Sequence, residues 1–259
     1  MVKNDNSVWA IGDIHGCYRE LMALYKKLLE AGLNPEKDIV VHMGDYMDRG
    51  PDSKKVVEQL IKWHKQYPHW VFLYGNHEDI FKNWIESKQK YQEDARWSCF
   101  LYNGGKETLK SYGLSEPVKT GFPKAHLDFL FNETKIYFEN GPYFFVHGGL
   151  PNDSIEHIKE LMKEEMMVNA MLWAREDFIE SNYTWKEKGL LKKVIFGHTP
   201  AYKVQWGKFG QPIVMMNKIG IDGAVCGNKI GSNLIAVKLP EEKFYFQESF
   251  ALYDAFKNI

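Results

Sequence analysis

Five short segments constrain this chain more than anything else in it: GDIHG (Gly12 to Gly16), GDYMDRG (Gly44 to Gly50), GNHE (Gly75 to Glu78), HGG (His147 to Gly149) and GHTP (Gly197 to Pro200). Each sets Asp, Asn or His beside glycine, right after an apolar run that reads as a buried strand: VWAI, IVVHM, WVFLY, YFFV and VIF. Strand ends that deliver hard oxygen ligands and imidazoles from five separate segments converge naturally on a pair of metal ions. Such a pair is suited to activating water against a phosphoryl group.

The first third alternates strand and helix signals. Leu21, Leu24, Tyr25, Leu28 and Leu29 give residues 17–31 a helical period, and Asn34-Pro35 turns the chain into the strand at Ile39 to Met43. Ser53 is placed to cap a second helix with Val56, Val57, Leu60, Ile61 and His64 on one face, and a third helix is predicted from Glu78 through Ile85. Such alternation implies βαβ units with ligands at the carboxyl ends of the strands. Residues 87–135 break the rhythm and read as a mostly helical insertion beside the site. A helix over residues 154–172 follows, then strands at 193–196, 213–217, 234–239 and 243–247. The motifs run from Asp13 to His198 with no linker between them, so residues 1–259 are expected to form one domain.

Composition narrows the function further. A formal net charge of −1 offers no basic field for nucleic acid or an anionic membrane, so neither is an expected partner. Cys17, Cys99 and Cys226 form no C-x-x-C pair, which suits a reduced cytoplasmic setting. No apolar run is long enough for a membrane span, and the N-terminus has no signal-like core. Cys17, at a helix start, is a candidate for redox control, although a small buried thiol is the commoner case.

Taken singly, the motifs say little, because a lone Asp or His after a strand is usually a cap or a satisfied polar group. Together and in this order they resemble the phosphoprotein phosphatase family of calcineurin-like metallophosphoesterases, in its bacterial and phage-type serine/threonine form. The likeness runs from about Val8 to Leu239. It implies an α/β fold with two facing β-sheets sandwiched by helices. It also implies two divalent metal ions, Mn²⁺ first, with Fe or Zn²⁺ as alternatives. By the same resemblance, Asp13, His15 and Asp45 hold one cation, and Asp45, Asn76, His147 and His198 hold the second, with Asp45 as the bridge.

The catalytic roles also come from the likeness. His77 is the general acid, oriented by Asp48, and Arg49 and Arg175 clamp the substrate phosphate, which a forked guanidinium does well. Asn103 of the NGG segment corresponds to a polar residue near the pocket in bacterial members. His42, His64, His69, His126 and His157 lie outside the motifs and read as structural or surface residues. The sequence departs from the bacterial pattern at Ile221 to Ala224, where IDGA stands in place of IDTG, and LYGNHE lacks the arginine usual in eukaryotic members.

The resemblance implies hydrolysis of phosphoserine and phosphothreonine monoesters in protein by attack of metal-bound hydroxide. NGGKETLKSYG (Asn103 to Gly113), similar to bacterial protein phosphatases, favours that substrate. The alternative is diadenosine tetraphosphate hydrolysis by the same site, making a dinucleoside polyphosphate the partner. Trp97, Tyr102 and Trp173 are then candidate surfaces for a base or a peptide side chain. A third reading, a metal-binding module without catalysis, fits poorly with Asp48, Arg49 and His77 all in place.

Overall fold

The computed structural model describes residues 7–87, 99–114, 120–227 and 229–251. Two five-stranded sheets face each other. The first contains β1 (Val8–Ile11), β2 (Ile39–His42), β3 (Val71–Phe72), β11 (Asn233–Leu239) and β12 (Lys243–Glu248), in the order β12-β11-β1-β2-β3. β1, β2 and β3 run parallel, while β11 is antiparallel to both of its neighbours. The second sheet has the order β4-β5-β8-β10-β9, from β4 (Tyr137–Asn140), β5 (Tyr143–Val146), β8 (Lys193–Phe196), β9 (Ile213–Val214) and β10 (Lys218–Gly220). Its central strands β5, β8 and β10 are parallel. A small hairpin joins β6 (Lys186–Glu187) to β7 (Leu190–Leu191).

Period-two alternation decides which side chains meet between the sheets. Val8 and Ala10 of β1 pack inward with Val41, Phe145, Ile195 and Val237, whereas Trp9 and Ile11 face the helices outside. On the second sheet Phe145 and Ile195 point inward, and Phe144, Val194 and Phe196 point to the helices on that side. Helices therefore cover both outer faces, and the expected sandwich of two facing sheets is what the chain forms.

Helix α1 (Tyr18–Glu30) buries Leu21, Leu24 and Leu28, each adding about 1.5–3 kcal/mol by leaving water. Leu29 lies on the other side and is 42% exposed. Helix α2 (Ser53–Gln66) buries Val56, Val57, Leu60 and Trp63. Ser53 makes no cap; Asp52 holds that position, and the Ser53 hydroxyl is turned to the site instead. Helix α3 (Asn76–Glu86) begins within GNHE, with Gly75 at its N-cap, two residues before the start expected at Glu78.

In the described part of residues 87–135, a π-helical turn (Leu101–Gly105), α4 (Lys106–Ser111), α5 (Lys124–Asp128) and a second π turn (Phe129–Glu133) form the helical insertion. Trp97 lies outside the described residues. The helix expected over 154–172 is two, α6 (Ile155–Leu161) and α7 (Glu165–Trp173), followed by α8 (Glu176–Glu180). Of the strand expected at 213–217 only β9 (Ile213–Val214) forms, because the chain turns back there into β10, which starts at Lys218. Among the described residues no helix is long and apolar enough to cross a membrane.

Candidate active site

The five motifs meet at the carboxyl ends of β1, β2, β3, β5 and β8. The backbone there is unusual. His15, Asp45, Asp48, Arg49 and His198 all have positive φ, from 45° at His15 to 69° at Asp48. Left-handed backbone costs most L-residues free energy and tends to cluster at functional sites. Glycine makes the close approaches possible: a Cβ on Gly75 would stand 2.3 Å from Asp45 Oδ1, and one on Gly197 2.2 Å from Asp13 Oδ1.

Asp45 is central. Its Oδ1 accepts the His77 backbone N–H at 3.0 Å and lies 3.2 Å from His147 Nε2, and its Oδ2 lies 3.5 Å from His15 Nε2. Ligand atoms of Asp45, His147 and His198 fall within 4.8 Å of one another, as do those of His15, Asp45 and His77. Asn76 Oδ1 sits 3.0 Å from His147 Nε2. Asp13 Oδ2 accepts the His198 N–H at 2.9 Å. The six residues assigned to metal from the sequence are thus gathered in one buried place.

The donor set fits a pair of hard or borderline divalent cations. Asp13 Oδ1 and His198 Nε2 are buried without a hydrogen-bond partner, which protein interiors rarely tolerate unless something else satisfies them. His15 Nδ1 is tied to the Met47 carbonyl and His147 Nδ1 to the Met43 carbonyl, both at 2.8 Å, which turns Nε2 of each ring inward. Metal-binding imidazoles are oriented in this way. Oxygen and imidazole donors without thiolate suit Mn²⁺, Fe or Zn²⁺.

Titration follows the same layout. Burial and the Arg49 guanidinium hold His15 well below the usual imidazole range, and burial with the nearby His147 does the same to His198. Neutral rings are the ones that coordinate. Burial opposes a proton on His147, but the Asp45 carboxylate overcomes it and raises that imidazole to about 10. Burial would raise Asp45, yet His147 and His77 hold it well below the carboxylate range. Burial and the charge of Asp222 keep Asp13 high.

Beside this cluster stands the pair assigned to proton transfer. His77 Nδ1 lies 2.7 Å from Asp48 Oδ2. Arg49 lies across two imidazoles, with Nη1 2.7 Å from His15 Nε2 and Nη2 2.7 Å from His77 Nε2. Guanidinium has only donors, so these contacts draw on imidazole lone pairs, and His77 donates from Nδ1 to Asp48. Arg175, just ahead of α8, reaches the His198 carbonyl and the Thr199 hydroxyl at 3.4 and 3.3 Å. His15, Arg49, Arg175 and His198 line one cavity of about 530 Å³.

Asn103, expected near the pocket, turns its side chain back along its own helix. Its amide donates to the Cys99 carbonyl one turn earlier, at 2.8 Å. The neighbouring Gly104 makes the contact with the site instead: its carbonyl accepts the Arg49 N–H at 3.2 Å, and a Cβ there would lie 2.5 Å from that nitrogen. Tyr102 is 91% exposed, and Trp173 sits edge-on to His198 with ring centroids 5.9 Å apart.

Glu78, Thr108 and Asp222, which have no assigned role from the sequence, also shape the site, and Ser53, expected as a helix cap, joins them. Glu78 accepts the N–H groups of Asp45, Tyr46 and Gly75, clasping two motifs together. Thr108 donates to Asp48 Oδ1 at 2.6 Å, and Ser53 adds a contact to the Asp48 N–H. Asp222 lines the cavity and accepts the Ala224 N–H, so the IDGA segment forms its own turn without a threonine. Each lies in a segment that the sequence marks: Glu78 closes GNHE, Thr108 falls in NGGKETLKSYG and Asp222 in IDGA.

Comparisons with known proteins agree with this arrangement. A bis(5′-nucleosyl)-tetraphosphatase [asymmetrical] of Anoxybacillus flavithermus is 25% identical over 262 residues, covering 94% of this chain and 98% of its own. Serine/threonine-protein phosphatase 1 of Salmonella typhimurium is 36% identical, but over 104 residues, 40% of this chain and 41% of its own. Among solved structures, a candidate diadenosine tetraphosphatase superposes with a TM-score of 0.62 at 19% identity, over 96% of both chains. A Saccharomyces cerevisiae serine/threonine phosphatase superposes at 0.61 and 15% identity, over 95% of this chain and 81% of its own. At these identities the superpositions speak for the fold alone. The sequence profile of calcineurin-like phosphoesterases matches residues 7–227, and the chain belongs to that family.

Proposed function

We propose that this metallophosphoesterase hydrolyses dinucleoside polyphosphates, with diadenosine tetraphosphate as the reference substrate. The observation that carries the reading is the length of the likeness: relatives named asymmetrical bis(5′-nucleosyl)-tetraphosphatase match over 94% of this chain, whereas serine/threonine-protein phosphatases 1 and 2 match over 40% and 67% of it. The NGGKETLKSYG segment pointed instead to phosphoserine and phosphothreonine. In the structure, its Thr108 and Gly104 support Asp48 and Arg49, groups that either substrate would need.

Asp13, His15 and Asp45 would hold one divalent cation, and Asp45, Asn76, His147 and His198 the other. When bound, the pair would supply Lewis acidity toward the phosphoryl group and make water nucleophilic near neutral pH. The protein's own groups do the rest. Arg49 and Arg175 bind non-bridging oxygens of the phosphoryl group and stabilise charge that builds there. That engagement draws Arg49 away from His77 Nε2, which can then carry a proton toward the leaving oxygen while Asp48 holds the proton on Nδ1. Water oxygen bonds to phosphorus, the bond from phosphorus to the bridging oxygen breaks, and the leaving nucleotide departs.

Product analysis tests this reading. Mn²⁺-loaded protein incubated with diadenosine tetraphosphate should yield adenosine nucleotides, and chelator should stop the reaction. Intact dinucleotide after prolonged incubation, under conditions where an aryl phosphate is consumed, would refute it.

A further inference from the structure

Directly after GHTP the chain makes a single 3₁₀ turn (Ala201–Lys203) that forms one wall of the catalytic cavity. The turn is anchored from below: Ala201 and Val204 are buried, and a Cβ on Gly207 would stand 1.8 Å from the Ala201 carbonyl. Two side chains project from this fixed base. Tyr202 is 44% exposed, and Phe209 supports its ring from a centroid distance of 5.1 Å. The exposed Lys203 places its ammonium 5.5 Å from the Tyr202 ring centre.

We propose that Tyr202 is the stacking platform for a nucleobase of the substrate, and that Lys203 pairs with a phosphate beyond the scissile one. The inference rests on the dinucleoside reading and assigns residues to it. A flat ring held by a neighbour at low entropic cost is a good base platform, and every base has a π-face to offer. The exposed Lys203 ammonium lies over the ring, so a base can take that place while the ammonium moves onto phosphate. Tyr202 shares the cavity with Arg49 and Arg175. A nucleotide whose phosphoryl group lies on the two arginines therefore meets Tyr202 as part of the same enclosure. Glu176 and Asp222 also line it. Trp173, which is 40% exposed, lies in a neighbouring cavity of about 430 Å³ that also contains Arg175 but none of the histidines.

Calorimetric titration of the full, Mn²⁺-saturated chain with AMP and with inorganic phosphate gives the nucleoside contribution as a ratio of Kd values, and the Tyr202 variants separate the base within it. Tyr202→Ala should reduce the advantage of AMP over phosphate by roughly tenfold or more, and Tyr202→Phe should keep it within about twofold. Lys203→Ala should lower the advantage of ADP over AMP while leaving that of AMP over phosphate in place. An unchanged ratio in Tyr202→Ala overturns the proposal, as does AMP binding no better than phosphate to the unaltered protein. Loss of the ratio in Trp173→Ala alone would move the platform to the neighbouring cavity and equally overturn it. Failure of the unaltered protein to cleave diadenosine tetraphosphate, with the Tyr202 effect intact, would remove the reaction and leave the base site standing.

Discussion

His77 and Asp48 share a hydrogen bond of 2.7 Å, and Asp48 is in turn held at its other oxygen by Thr108, 60 residues further along the chain. Both Asp48 and His77 are buried. A proton donor at the site is therefore oriented by two successive contacts, the second of which comes from the helical insertion. The insertion thus does more than decorate the sandwich: α4 brings the hydroxyl that fixes the carboxylate that fixes the imidazole.

This relationship sets the first prediction. His77→Asn removes the acid and leaves the assigned metal ligands in place. General acid catalysis contributes about 10²–10⁴-fold where the leaving group needs a proton. A seryl alkoxide needs one badly, whereas a nucleotide phosphate leaves as a stable anion. The variant should therefore lose much of its kcat on a phosphoserine peptide and far less on diadenosine tetraphosphate. Equal losses on both, or a drop in bound metal measured by atomic emission, would contradict the role of His77.

Among the described residues, Asp45 belongs to both groups of ligands. A neutral amide bridges two dications poorly and no longer offsets their repulsion. Asp45→Asn should lower the metal content below two per chain and reduce activity below that of Asn76→Ala. Two tightly held metals in Asp45→Asn, by metal analysis after dialysis, would place the bridge elsewhere.

A third prediction concerns stability. His42 is fully buried at the end of β2, stacked on Phe72 at 4.7 Å and near Trp63 at 5.8 Å. Burial pushes its imidazole down to about 3, against a smaller pull from the Val71 backbone. The folded value is below the unfolded one, so the stabilisation is complete above about pH 6.5 and is lost as pH falls toward 3. Over that window one proton costs about 1.4 kcal/mol per pH unit. His42→Leu should flatten the decline by that slope in urea titrations between pH 6 and pH 4. An identical pH dependence in both proteins would show that His42 carries no such penalty.

Much of this was legible in the sequence because the chemistry is local. Each motif is a strand end, a glycine and a ligand, so VWAI, YFFV and the residues after them could be placed without tertiary knowledge. What escaped depends on partners distant in sequence. β10 begins with Lys218, a residue that argues against a buried strand. In the fold its ammonium is buried and donates to the carbonyls of Phe178, Ile179 and Ser181 at the end of α8, the helix that Arg175 precedes. Ser53 reads as a cap, since serine before a helical period usually is one, but Asp48 and Thr108 compete for its hydroxyl. In NGG the polar Asn103 attracts attention, yet Gly104, at φ 102°, is the residue that lets the backbone reach Arg49. Side-chain chemistry was readable; close backbone approach was not.

On the proposed function, this phosphoesterase site works on a phosphoanhydride of a dinucleotide. The most direct measurement is a competition in one vessel, with Mn²⁺-loaded protein given diadenosine tetraphosphate and a phosphoserine peptide together. Their relative depletion gives the ratio of kcat/KM values free of differences in enzyme concentration or metal loading. The dinucleotide should be favoured by about tenfold or more, the size of a base-stacking contribution. Faster depletion of the phosphopeptide would contradict the account and return the site to protein dephosphorylation.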